Sequence, residues 1–153
     1  MNDSFEQMFA ECRLLALENA TANICKDIAG SKDNRPLVIY GAGGNCDFAC
    51  YFLSLYGIKS ACVCDSVKTG TYDYRGIRQY DIISPDVLLN DYSDARVLIS
   101  PWKYEEEIKT GLIELGFPES SIYYLRSDER MSSDEFESKH LNVYRNGTRS
   151  VSF

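Results

Sequence analysis

The sequence predicts an α/β protein built on a Rossmann-like, doubly wound, mostly parallel sheet of about four or five strands, with a helical segment in front of it. Three observations carry this expectation. Short apolar runs at residues 37–40, 61–64, 95–100 and 122–125 alternate with stretches of helical period. The first two runs are almost continuously apolar, as strands covered by helices on both faces are. The first run also passes directly into Gly41-Ala42-Gly43-Gly44, a tight turn with a helix behind it.

Taken in order, residues 3–29 repeat Phe5, Met8, Phe9, Cys12, Leu15, Ile24 and Ile28 at three- and four-residue intervals, which predicts a helix. Asp3 or Ser4 suits its N-cap and Gly30 its end, and Asn19–Asn23 is a weak patch where it can split in two. The stripe most simply covers the protein's own sheet, with a partner-binding face as the alternative. Pro36 stops the polar connection 31–36 from continuing the helix. After strand Leu37–Tyr40 and the glycines, residues 45–56 read as a helix with Phe48, Tyr51, Phe52 and Leu55 on its apolar face, ended by Gly57. Residues 61–64 form the second strand, which a right-handed crossover joins to the first. The stretch 65–76 shows neither period and reads as a surface loop, with a brief extended piece at 77–79. Ser84 and Pro85 suit the N-cap and first position of a short helix over 86–89. Residues 95–100 are the next strand. Pro101 then opens a helix over 102–115, with Ile108, Leu112 and Leu115 inward and Gly116 closing it. Residues 122–125 make a last short strand. The expected organisation is a helical segment 1–35, a nucleotide-binding body 36–125, and a polar tail or linker 126–153.

Composition narrows the partners. The chain of 153 residues suits one domain, and its formal charge of -7 lies in residues 1–125, because the tail holds equal numbers of acids and bases. An acidic body without a basic stripe argues against nucleic acid and anionic membrane surfaces. No apolar run approaches the ~20 residues that cross a bilayer. The acidic N-terminus lacks a signal-peptide core, so a cytoplasmic location is expected. Six cysteines, without a Cys-x-x-Cys pair and with a single histidine, read as buried reduced thiols rather than as disulfides or a zinc site.

Chemistry is expected where three loops leave the carboxyl ends of strands: 41–45, 65–69 and 100–103. Gly41 permits the turn. Gly43 and Gly44 let a phosphate approach main-chain N–H groups, and Ala42 and Asn45 complete the turn at the helix N-terminus. Asp65 ends the second apolar run, near the ~20-residue distance at which a dinucleotide-binding unit places its ribose-binding acid. Ser66 follows it, and Ser100 and Trp102 can line the base or sugar end. Position 46, where the dinucleotide fingerprint has its third glycine, is Cys46, which can push the helix outward. The simpler alternative is that the glycines only make a sharp turn and Asp65 only caps a loop.

Other chemistry has less support. There is no P-loop and no nucleophile elbow, and His140 lies in the polar tail. Glu105-Glu106-Glu107 reads as a solvated first helical turn. Asp73 and Asp81 flank a loop without sign of paired acid–base work. Cys46 reads as packing rather than as an activated thiol. Tyr40 and Tyr51 are expected in the core, and Tyr72, Tyr74 and Tyr80 at a ligand or subunit contact. No catalytic residue is assigned.

The spaced pieces Val38–Gly44, Val63–Ser66, Gly76-Ile77, Ile83–Asp86, Ile99–Pro101, Glu107-Ile108 and Leu115–Pro118 together resemble the Rossmann-like domain that accompanies bacterial surface-polysaccharide enzymes. Similar domains begin FkbM-type methyltransferase chains and precede nucleotide-sugar dehydratases and sugar acetyltransferases. The resemblance covers about residues 36–125 and implies that Gly41, Gly43, Gly44 and Asp65 face a nucleotide or nucleotide-sugar. It implies a non-catalytic accessory domain, with a homodimer or a larger polysaccharide enzyme as partner. Nucleotide-sugar and NAD(P) are the ligands to consider. A small NAD(P)-dependent oxidoreductase and an interaction module with a vestigial pocket are the alternatives.

Overall fold

A computed structural model describes residues 7, 18–43, 45–101 and 103–124 of the chain. By its contacts the chain divides into two units, of which Thr21–Tyr124 is the one described below. The expected tail 126–153 and most of the leading helix lie outside the described residues. Within them, residues 18–30 are helical (α1).

Ten further elements follow: β1 (Leu37–Tyr40), α2 (Asn45–Ser54), β2 (Val63–Cys64), β3 (Gly70–Tyr74), β4 (Arg78–Ile83), α3 (Pro85–Asp91), β5 (Arg96–Ile99), α4 (Glu105–Glu114), a 3₁₀ turn (Glu119–Ser121) and β6 (Ile122–Tyr123). The six strands form one sheet in the order β3-β4-β2-β1-β5-β6. All neighbours run parallel except the β3–β4 pair. The predicted α/β, mostly parallel sheet with a helix ahead of it is therefore what the chain forms. Chain order reverses at β1, whose two neighbours are β2 and β5, so the mouth of the sheet lies at the carboxyl ends of β1 and β5.

Alternation along the strands sorts the core into two faces. Val38, Tyr40, Cys62, Cys64, Val97 and Ile99 pack with Leu88 of α3 and Leu112 of α4. Leu37, Ile39, Val63 and Leu98 are buried between these residues and point to the other face, which α1 and α2 cover. The described cysteines, Cys25, Cys46, Cys50, Cys62 and Cys64, are all free and buried. The helix ends follow the sequence signals. Ser84 Oγ accepts the Val87 N–H (3.3 Å) with Pro85 at the first helical position. Gly57 (φ 70°) lets the Ile58 N–H return to the Leu53 carbonyl at 3.0 Å, and Gly116 (φ 107°) does the same for Phe117 and Leu112 at 3.0 Å.

Three expectations are corrected. The stretch read as a loop over 65–76 contains β3, which forms a hairpin with β4 in register from Gly70↔Ile82 to Tyr74↔Arg78. Arg75 (φ 50°) and Gly76 (φ 72°) make its turn, closed by the Ile77 N–H on the Tyr74 carbonyl at 2.8 Å. Arg-Gly in place of Asn-Gly or Asp-Gly hid this turn in the sequence. Second, α2 buries Cys46, Ala49, Cys50 and Leu53, not the aromatic stripe; Tyr51 and Leu55 are 45% and 61% exposed. Both stripes have helical spacing. The smaller residues win because they let α2 lie close to the sheet and to α1, where Cys25 Sγ donates to the Ala49 carbonyl. Third, Glu105 is buried, at 1% exposure, rather than part of a solvated turn. Its carboxylate sits at the positive end of α4.

Candidate functional site

At the mouth of the sheet the ladder runs one step beyond β1. The Gly41 N–H donates to the Cys64 carbonyl (2.7 Å), and the Ser100 N–H to that of Tyr40 (2.9 Å). Gly41 then takes φ +116°, and a Cβ on it would stand 2.4 and 2.5 Å from Pro101 Cδ and Cγ and 2.7 Å from Ser100 Oγ. Only glycine tolerates both the dihedral and the approach. Gly41 is thus fixed by the neighbouring protein segment 100–101, a contact the sequence did not reveal. Gly43 differs, since a Cβ there would meet nothing within 4 Å.

Asp65 reaches back to this turn. Its Oδ2 accepts the Ala42 N–H at 2.9 Å, and its Oδ1 accepts those of Val67 and Lys68, both at 2.9 Å. Partial burial raises its pKa, but the three main-chain bonds and the Lys68 charge outweigh this and hold the carboxyl below its usual range. The acid therefore staples the glycine turn to its own loop. Lys68 Nζ adds a second tie by donating to the Ala42 carbonyl at 3.3 Å. The sequence offered a hint of the loop tie, because an Asp followed two and three residues on by main-chain donors is an Asx-turn pattern. Nothing in the sequence singles out Lys68.

The remaining predicted residues distribute as follows. Ser100 is buried and its Oγ lies within bonding distance of the Gly41 (2.9 Å) and Tyr40 (3.3 Å) carbonyls. Ser66 is exposed, and burial pushes up the pKa of the Tyr40 phenol. Gly44 and Trp102 lie outside the described residues. Asn45 opens α2, and its Nδ2 donates to the Ser100 carbonyl (2.8 Å) and to Thr21 Oγ1 (3.4 Å), joining three elements across the mouth. Its Oδ1 is buried and, among the described residues, accepts no hydrogen bond. An unmatched buried acceptor costs about 1–3 kcal/mol.

Beside the mouth, α2 is tied to the hairpin. The Tyr72 hydroxyl donates to Asp47 Oδ1, and Arg75 Nε lies 3.7 Å from Asp47 Oδ2. Burial first, then the Asp47 bond, pushes the Tyr72 phenol up, so it stays protonated. Burial also pushes the Cys64 thiol up to about 12. Cys46 is raised by its bond to Cys50 and by burial, and so is no thiolate nucleophile at neutral pH. Among the described residues, no group of three or more His, Cys, Asp or Glu side chains could hold a metal ion. No helix among them is long and apolar enough to cross a membrane.

Fold and mouth together define the class, a Rossmann-like α/β sheet with a glycine turn at its switch point. No known protein family, curated protein or solved structure matches the chain.

Proposed function

We propose that the chain is an accessory domain that binds a nucleotide or nucleotide-sugar at the mouth between β1 and β5, in association with bacterial surface-polysaccharide or methyltransferase enzymes. The observation that carries the binding part is Asn45 Oδ1, a buried acceptor without a donor at the topological switch point. A ligand hydroxyl or amino group that displaces the atoms covering it would supply the missing donor. Two features support the same reading: the open space over Gly43, and the Lys68 ammonium beside the turn. The choice of nucleotide-sugar rests on the sequence resemblance. Since Asp65 already accepts three main-chain bonds, its share in ligand binding is to hold the turn, with any sugar hydroxyl as an added donor.

A second reading, an interaction module with a vestigial pocket, is favoured by Pro101 and Ser100 packed against Gly41. Thermal unfolding with UDP-sugars, NADH or S-adenosylmethionine separates the two. At ~100 Kd a ligand adds about 2.7 kcal/mol, a rise in Tm of about 5–10 °C. Gly43→Val should abolish that rise while leaving the free protein's Tm nearly unchanged. If none of these compounds moves Tm, or Gly43→Val binds as wild type does, the binding reading fails. NADH oxidation with any sugar nucleotide would overturn the non-catalytic assignment.

A further inference from the structure

At the opposite end of the strands from the glycine turn lies a cavity of about 490 Å³, lined by Ile28, Ser31, Asp33, Tyr56, Ile58 and Arg96 among others. Three sequence features build it. Pro36 ends the connection from α1, the Gly57 turn brings Tyr56 and Ile58 to the rim, and β5 begins with an arginine where an apolar residue would ordinarily enter the sheet.

Arg96 is the unusual member. Its side chain is only 8% exposed. Its Nε and Nη2 both donate to one acceptor, the Arg35 carbonyl, at 3.1 and 2.8 Å. The nearest acid, Asp33, is 4.0 Å away from Nε. That carboxylate is already engaged by Arg35, whose N and Nε donate to Oδ1 (3.0 Å each) and whose Nη2 donates to Oδ2 (2.7 Å). These bonds hold the Asp33 pKa at about 2. Two guanidinium groups thus draw on the Asp33 carboxylate, Arg35 at close range and Arg96 at 4.0 Å, with Asp94 a further acid acting on Arg35. A buried guanidinium whose charge is answered mainly by a carbonyl dipole is incompletely compensated. Among the described residues no bond uses its Nη1.

We propose that this cavity is a second binding site, independent of the mouth, for a small monocarboxylate with an apolar body. The carboxylate meets the Arg96 guanidinium, whose planar fork suits it. The body lies on Ile58 and the half-exposed Tyr56 ring. A single charge fits better than a phosphate dianion, because Asp33 stands beside Arg96 and repels the second charge.

The test is a titration of the full chain with 3-phenylpropionate, followed by amide chemical shifts. The matched probes are 3-phenylpropanol, which keeps the body without the charge, and phenyl phosphate, which doubles the charge. Saturable shifts at Ser31, Asn34, Tyr56 and Ile58 are expected, with the alcohol and the phosphate weaker by about tenfold or more. Tyr56→Ala should weaken binding, and Ile58→Glu, which places a carboxylate on the wall, should abolish it. These two variants decide the matter even if Arg96→Gln fails to fold through loss of its hold on residue 35. Equal binding of the alcohol, tighter binding of the phosphate, shifts that map elsewhere, or wild-type affinity in Ile58→Glu each overturns the proposal.

Discussion

Replacing Gly41 with alanine is the sharpest perturbation this fold allows. The new Cβ would stand 2.4–2.5 Å from two Pro101 carbons and 2.7 Å from Ser100 Oγ, so the 100–101 segment must move. Overpacking of that kind costs about 1–3 kcal/mol. The φ of +116° adds a backbone term of about 1–3 kcal/mol for a residue that has a side chain. Together these give about 2–6 kcal/mol, a large share of the 5–15 kcal/mol typical of a domain. In urea, with a slope of about 2 kcal/mol/M, the midpoint should fall by about 1–3 M. Pro101→Ala removes the two carbons in closest conflict, so the double mutant should recover about 1–2 kcal/mol relative to additivity. The backbone term should remain. Gly43→Ala is the control, since its Cβ meets nothing, and it should stay within about 0.5 kcal/mol of wild type. If Gly41→Ala unfolds with the wild-type midpoint, or the cycle shows no coupling to Pro101, the steric account of this turn is wrong.

Other expectations follow from single groups. Asp65→Asn replaces one acceptor oxygen by an NH₂ facing main-chain donors and should cost about 1.5–3 kcal/mol. Because the Asp65 carboxyl is depressed in the fold, the stability it contributes is complete above about pH 4 and is lost as pH falls through its lower folded value. Urea midpoints of wild type should therefore drop toward those of Asp65→Asn between pH 5 and pH 2, measured in parallel, and a constant gap would contradict this. Cys25 and Cys64 are raised from 9.0 to about 12, chiefly by burial. The folded thiols keep their protons where unfolded ones lose them, so stability falls from about pH 9 upward. At pH 8 both should resist a disulfide reagent until denaturant is added, and rapid labelling of the native protein would refute their burial. Ser84→Ala removes the side-chain acceptor of the α3 N-cap and should lower stability by about 1 kcal/mol in the same urea assay, with no shift expected if the cap is idle.

Much of the architecture was legible because its signals are local. Apolar runs, the Gly57 and Gly116 stops, and the Ser84-Pro85 start each act within a few residues, and the sheet with its helices follows from them. What escaped depends on distant contacts. Tyr51 and Phe52 share the helical spacing of Cys46, Ala49 and Cys50. Only the nearness of α1 decides that the small residues turn inward. The β3–β4 hairpin carries no Asn-Gly or Asp-Gly signal, and its pairing rests on cross-strand register rather than on the turn's composition. At the mouth, the sequence located the turn and the acid but not what they touch. Gly41 answers to Pro101, roughly sixty positions on in the chain. Asp65 serves main-chain donors, the simpler of the two roles its position allows.

The hairpin also does what a crossover helix does elsewhere in such folds, since β3 makes the return stroke between β2 and β4 within the plane of the sheet. Its attachments close a circuit. From the glycine turn the path runs through Asp65 to Lys68, along β3 to Tyr72, across to Asp47, and back down the first turn of α2 to Asn45. A break at any station slackens both the turn and the hairpin, so amide exchange in these segments should speed up jointly. The rim of the sheet behaves as one hoop, tight or loose as a whole.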